Sequence, residues 1–172
     1  MLRRNWPIFV LLLLVLSSIA LTFVLMSRAA EKENYDEIEP DLFLGGRVKT
    51  PPPETDAVLN VCQIKDPYQA KAHRWKGVRD GAPAPSLDWL REQVQFVDEQ
   101  RRAGHRVFVH CLNGVSRSTM VVAAYLMRKH RWTRDEALAF IRKKRDVIRP
   151  NQSFMELLLK WEKQPHDQKA DS

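Results

Sequence analysis

Only two cysteines, Cys62 and Cys111, occur in this 172-residue chain, and no C-x-x-C pair is present. The count excludes a disulfide scaffold, and the missing pair removes the usual zinc-site spacing, so metal chemistry is not the starting expectation. Internal repeats are absent as well. Between Trp6 and Met26 there is no charged residue at all. What is present is ordinary for a globular protein: 44% hydrophobic and 28% charged residues, which argues against disorder as the default. The formal net charge of +7 suits nucleic acid, an anionic surface or a phosphorylated substrate without choosing among them.

The uncharged run is long enough to cross a bilayer, with Arg3 and Arg4 before it and Arg28 and Lys32 after it. A cleaved signal peptide is the rival, with Ser27-Arg28-Ala29 as a loose small-x-small site. It is discounted because the run exceeds a usual signal core and the site carries an arginine. The expectation is therefore a retained anchor over 1–30, with a transmembrane helix at about 6–26, and a single-pass membrane protein. Two basic residues on each flank leave the side of the membrane open, with the free amino terminus tipping it towards N-terminus inside. The acidic stretch Glu31–Glu39 reads as a juxtamembrane linker over 31–39.

Beyond it, 40–163 reads as one α/β domain, with 164–172 as a disordered tail. Asp41–Gly46 suggests a short strand ending in a turn. Ala57–Cys62 is a compact run suited to a buried strand, and Trp75–Arg79 suggests another. Ser86 can cap a helix carrying Leu87, Leu90, Val94 and Val97 on one face, with Gly104 at its exit. Arg106–His110 reads as a central strand, and Thr119–Lys129 as a helix apolar almost all round. Thr133-Arg-Asp-Glu136 and Ser153-Phe-Met-Glu156 each have the spacing of a capping box opening a further helix.

Between the central strand and the apolar helix lies V-H-C-L-N-G-V-S-R-S, Val109–Ser118. A strand-loop-helix connection of this length turns several backbone N–H groups towards one point, backed by the positive end of the helix dipole. That geometry binds a tetrahedral dianion. Gly114 permits backbone conformations that a side chain hinders, and Arg117 can fold back to grip two phosphate oxygens. The same field stabilises a thiolate, so Cys111 is expected to titrate well below ~8.5 and to be ionised at neutral pH. A thiolate beneath a phosphorus atom is a nucleophile aimed for in-line attack. As a small apolar residue at a strand end, a lone cysteine would need none of these neighbours.

H-C-L-N-G-V-S-R-S resembles the signature loop of cysteine-dependent protein tyrosine phosphatases, specifically the dual-specificity branch. The likeness extends to A-A-Y-L-M (Ala123–Met127), Asp135-Glu-Ala137, R-P-N-Q-S-F (Arg149–Phe154), L-F-L-G-G and V-L-N-V. It covers most of 40–163, with Ser153 where the family more often has glycine. The resemblance implies a central mixed, mostly parallel sheet of about four or five strands flanked by helices. It also implies roles. Cys111 forms a phosphocysteine, while Arg117 and the amides of the loop, Leu112, Asn113, Gly114, Val115 and Ser116, hold the phosphoryl oxygens. Ser118 donates a hydrogen bond to the departing thiolate, and His110 organises the loop. No cofactor and no metal are required.

A leaving alkoxide or phenoxide needs a proton, so a general acid must face the thiolate. Asp66, Asp80 and Asp88 are candidates. Asp80, in R-D-G-A-P-A-P about thirty residues before the cysteine, matches the family's acid; Asp88 suits a helix first turn and Asp66 a loop beside Pro67. In some family branches a second cysteine on the neighbouring strand forms a reversible disulfide with the nucleophile, which makes Cys62 a candidate redox partner; an inert core thiol is the alternative. Leu112, Asn113, Val115 and Ser116 include no lysine, whereas phosphoinositide-specific relatives tend to carry basic residues there. A phosphoprotein bearing phosphotyrosine or phosphoserine/threonine is thus the expected substrate, with a phospholipid as the alternative and a phosphate-binding pseudophosphatase as a second one. The basic runs Arg128–Arg134 and Arg142–Arg149 read as solvated helix faces. No nucleic-acid partner is expected, and the chain is expected to be a monomer.

Overall fold

Strand alternation settles which way each side chain of the central sheet faces. The structure, a computed structural model, describes residues 33–165 together with Val10 and 14–18. The chain divides into two units, 1–33 and 34–172. In the second, the elements run β1 (Tyr35–Glu39), β2 (Leu42–Gly45), β3 (Ala57–Asn60), β4 (Ala72–Trp75), α1 (Leu87–Arg102), β5 (Val107–His110), α2 (Arg117–His130), α3 (Arg134–Lys144) and α4 (Gln152–Glu162). The five strands lie in the order β1-β2-β5-β3-β4. Only β1 is antiparallel to its neighbour; β2, β5, β3 and β4 pair in parallel. Parallel pairing buries β2, β3 and β5 on both faces, as their uninterrupted apolar runs require.

Leu42, Leu44, Ala57, Leu59, Val107 and Val109 face one large core, to which all four helices contribute: Leu90 and Val94, Met120 to Met127, Ala137 and Ile141, Leu157 and Leu158. The alternate positions Phe43, Val58 and Phe108 face the other way, into a smaller cluster covered by Tyr35 and Tyr68. Tyr35 meets Phe43 and Phe108 edge-on. α2 is buried along most of its length, so it is the central helix on which α1, α3 and α4 pack.

Several local signals act as the sequence suggests. Ser86 caps α1 by accepting from Trp89 N–H, and Thr133 forms a complete capping box with Glu136. Others differ. Tyr35–Glu39, expected within a linker, forms edge strand β1, because Ile38 is buried and Tyr35 packs on the second face. β4 lies upstream of the expected Trp75–Arg79. At α4 the cap is Asn151, whose Oδ1 accepts from Phe154 N–H at 3.0 Å. Ser153 sits inside the first turn and donates to the same oxygen at 2.7 Å.

The N-terminal transmembrane helix and the single-pass membrane localisation expected from 6–26 are corrected: among the described residues, no helix is long and apolar enough to cross a membrane. A span needs about 20 apolar residues in a helix rising about 1.5 Å each. The described helical stretch at 14–18 is far shorter. Apart from it and Val10, the expected span lies outside the described residues, as does the expected tail beyond 165.

Candidate active site

The loop from Cys111 to Ser116 leaves β5 and enters α2, and its backbone is tied down from outside at nearly every carbonyl. Arg47 N–H donates to Leu112 O at 2.9 Å, and Arg149 N–H to Val115 O at 2.8 Å. Arg145 Nε donates to Gly114 O at 2.8 Å and its Nη2 to Asn113 O at 3.2 Å. Across a trans peptide, N–H and C=O point in opposite directions. Four carbonyls held outwards therefore turn the following N–H groups towards the centre of the loop. Gly114 N–H accordingly points at Cys111 Sγ, at 3.3 Å. Gly114 has φ +67°, and a Cβ there would lie 2.3 Å from Gly45 C and 2.5 Å from Gly46 N, so no other residue fits. Ser116 precedes α2 without capping it, and the first turn holds no acidic residue. The helix's free N–H groups and positive dipole end thus remain available to an anion.

Cys111 is 1% exposed at the floor of this loop. Burial pushes its thiol up, but hydrogen bonds from the Ser118 hydroxyl, the Ser118 and Gly114 N–H groups and the Arg117 charge outweigh it. The net effect lowers the thiol below its ordinary value. Ser118 Oγ lies 3.3 Å from Sγ and 3.3 Å from Gly45 O. Arg117 folds back over the loop, its Nη1 3.4 Å from Val78 O and its Nε 3.4 Å from an Asp80 oxygen. That buried Nε makes no hydrogen bond, so the guanidinium keeps donor capacity for an oxyanion.

Asp80 is held above the loop. Its Oδ1 accepts from Ser116 Oγ at 2.7 Å and from Asn151 Nδ2 at 2.8 Å, while Oδ2 faces Arg117. With its side chain 38% exposed, it borders solvent and the loop together. The other two aspartates lie elsewhere. Asp88 pairs with Arg91 in the exposed first turn of α1. Asp66 is buried on the far side of the sheet, bonded to Asn60, His73 and His110. His110 points away from Cys111 Sγ, as its strand position dictates, and reaches the Cys111 carbonyl instead. Cys62 is a free buried thiol that donates to Ile64 O at 3.1 Å. It lines, with Ile64, Arg79, Asp80, Leu112 and Arg117, a cleft of about 340 Å³. Ile64 and Leu112 are exposed at its rim.

Two site residues were not singled out by the sequence reading. Arg145, placed there on a solvated basic face, is 5% exposed and also bonds Asp36 and Asn34 at 2.7 Å each. Asn151 serves twice, as the α4 cap and as a partner of Asp80. Its place in Pro150-Asn151, ahead of an apolar run, was the available signal.

The dual specificity phosphatase catalytic-domain model matches residues 53–164. Human dual specificity protein phosphatase 1 is 46% identical over 92 residues, which is 52% of this chain and 25% of that protein. The chain thus spans about a quarter of that relative's length. Among solved structures, human DUSP28 is 28% identical, with TM-score 0.68, over 76% of this chain and 93% of the other. PTPMT1 in complex with PI(5)P is 25% identical, with TM-score 0.68, over 76% of this chain and 96% of that one.

Proposed function

This chain belongs to the dual specificity phosphatase family, and from that premise we propose that it hydrolyses phosphotyrosine and phosphoserine/threonine on proteins through a phosphocysteine intermediate. The observation that carries the reading is the lowered Cys111 thiol beneath inward-facing loop amides and a guanidinium with a spare donor.

In the first step the Cys111 thiolate attacks phosphorus in line; the S–P bond forms as the ester P–O bond breaks. Arg117 and the N–H groups of Asn113 to Ser116 take the charge on the equatorial oxygens. Asp80 gives its proton to the leaving oxygen, a role supported by its position over the loop, braced by Ser116 and Asn151. In the second step water attacks the phosphocysteine, Asp80 receives the water proton, and the thiolate departs onto the Ser118 hydroxyl, 3.3 Å away.

The protein-substrate reading draws on the relatives named dual specificity protein phosphatases. It also draws on the loop itself, where Leu112, Asn113, Val115 and Ser116 bring no cationic side chain to the phosphate. A phosphoinositide is the second reading, favoured by the PI(5)P complex of one structural neighbour. Turnover by the full chain, in reductant, of phosphotyrosyl and phosphothreonyl peptides against soluble phosphoinositides tests both. Faster peptide turnover is expected. Faster phosphoinositide turnover would move the substrate to the lipid class, and tight binding without turnover would leave a phosphate-binding module.

A further inference from the structure

The cleft beside the phosphate loop holds a charge that the steps above do not use. Two cations line its volume of about 340 Å³, Arg117 and Arg79. Arg117 belongs to the phosphate. The cleft's one carboxylate, Asp80, is already paired: Ser116 and Asn151 bond its Oδ1, and Arg117 faces its Oδ2. The Arg79 side chain is exposed and makes no hydrogen bond or ion pair among the described residues. Nearby cations are engaged elsewhere. Lys65 lies over the Trp75 ring at 4.9 Å, and Lys76 lines a separate groove with Glu92 and Glu99. The backbone that carries Arg79 is nevertheless fixed. Lys76 N–H donates to Asn60 O at 2.9 Å, Val78 N–H to Val61 O at 3.2 Å, and the Trp75 indole to Cys62 O at 2.8 Å.

We propose that Arg79 is a specificity-determining residue: its guanidinium binds the carboxylate of an aspartate or glutamate one or two positions from the phosphorylated residue of a peptide substrate. The inference rests on the phosphatase reading of Cys111. A guanidinium fork matches a carboxylate with two parallel hydrogen bonds, so an arginine without a counter-charge in a substrate cleft is matched to an anion. Extended peptide advances about 3.3–3.6 Å per residue. Arg79 adjoins Asp80, the acid that protonates the leaving oxygen, so a flanking side chain comes within its reach. Ile64 and Leu112, 48% and 41% exposed on the same cleft, favour a peptide over an inositol phosphate. They can cover peptide methylenes, whereas an inositol ring sets hydroxyls against them at a desolvation cost.

The test uses the full chain, in reductant, with phosphotyrosyl peptides carrying glutamate, glutamine or lysine beside the phosphotyrosine. Wild-type kcat/KM should favour glutamate over glutamine by about fivefold at low ionic strength, and salt should shrink the preference. Arg79→Gln should remove it, Arg79→Lys should keep part of it, and Arg79→Glu should turn it towards lysine. Lys76→Gln, an exposed cation three residues away, should leave the preference in place. A glutamate preference that survives Arg79→Gln, or that does not invert in Arg79→Glu, overturns the proposal. So does an equal loss of kcat/KM across all three peptides, the sign of a structural role. Loss of the preference in Lys76→Gln also overturns it, by assigning the effect to the general positive field. The same holds for Arg79 dependence found with multiply phosphorylated phosphoinositides but not with peptides. Peptide binding in a Cys111→Ser background, with and without Arg79→Gln, separates the two readings. Glutamate selectivity that needs Arg79, in a protein whose wild type turns over no peptide, counts against the phosphatase reading alone. Turnover without that selectivity counts against Arg79 alone.

Discussion

Arg145→Met removes the side chain that clamps the phosphate loop to the first strand. Four hydrogen bonds go with it: to Gly114 O at 2.8 Å, Asn113 O at 3.2 Å, Asp36 Oδ2 at 2.7 Å and Asn34 Oδ1 at 2.7 Å. Breaking a buried ion pair by deleting one partner costs roughly 3–5 kcal/mol. The Asp36 side chain is 16% exposed and regains some hydration, so the lower end, about 3 kcal/mol, applies. For a domain of this size each kcal/mol moves the melting temperature by about 3–4 °C, so the variant should melt about 10 °C lower. The kinetic loss is separate. Without the clamp the Asn113 and Gly114 carbonyls are free to turn, and the N–H groups following them leave the phosphate; misplacement on the scale of an ångström costs roughly 100-fold in kcat/KM. Arg142→Met, on the exposed side of α3, is the control and should stay within about 0.5 kcal/mol. Thermal unfolding followed by circular dichroism, with para-nitrophenyl phosphate hydrolysis, reads both effects. Equal melting temperatures and equal kcat/KM for the Arg145 and Arg142 variants would refute the clamp.

Asp80→Asn should slow substrates with poor leaving groups far more than para-nitrophenyl phosphate, and Asn151→Ala should reproduce that pattern more weakly by loosening the aspartate; a uniform loss across leaving groups would place the acid elsewhere. Glu39 links β1 to the end of α2: burial raises its carboxyl, but Lys129 at 2.6 Å and His130 outweigh it and hold it below its usual value. A depressed carboxyl contributes stability that is full above the unfolded value of about 4.3 and is lost as pH falls through the folded one. Glu39→Gln should therefore lower the urea midpoint at neutral pH and leave it unchanged in acid below both values; an equal drop at both pH values would assign the loss to packing.

What the sequence made legible was local. The spacing of Cys111, Gly114, Arg117 and Ser118 carries its meaning within eight residues, and the Ser86 and Thr133 caps lie within one helical turn of the groups they bond. What it hid was non-local. Arg145 meets Asn34 and Asp36 across more than a hundred residues of chain, and nothing in Arg142-Lys-Lys-Arg145 distinguishes the buried cation from its exposed neighbours. β1 reads as an acidic linker because its apolar contacts are few and split between the two faces, Ile38 in the large core and the ring of Tyr35 against Phe43 and Phe108 on the other side. Asp66 looked like a loop residue, because the histidines that surround it come from β4 and β5.

The central claim is that Cys111 becomes covalently phosphorylated during turnover. Acid-quenched single turnover of the full chain with a phosphotyrosyl peptide, followed by peptide mass spectrometry, reads it directly. The account predicts a transient phosphoryl group on the peptide containing Cys111, longer-lived in Ser118→Ala and absent in Cys111→Ser along with all phosphate release. Phosphate release that persists in Cys111→Ser, or turnover in the wild-type protein with no label on Cys111, would contradict it.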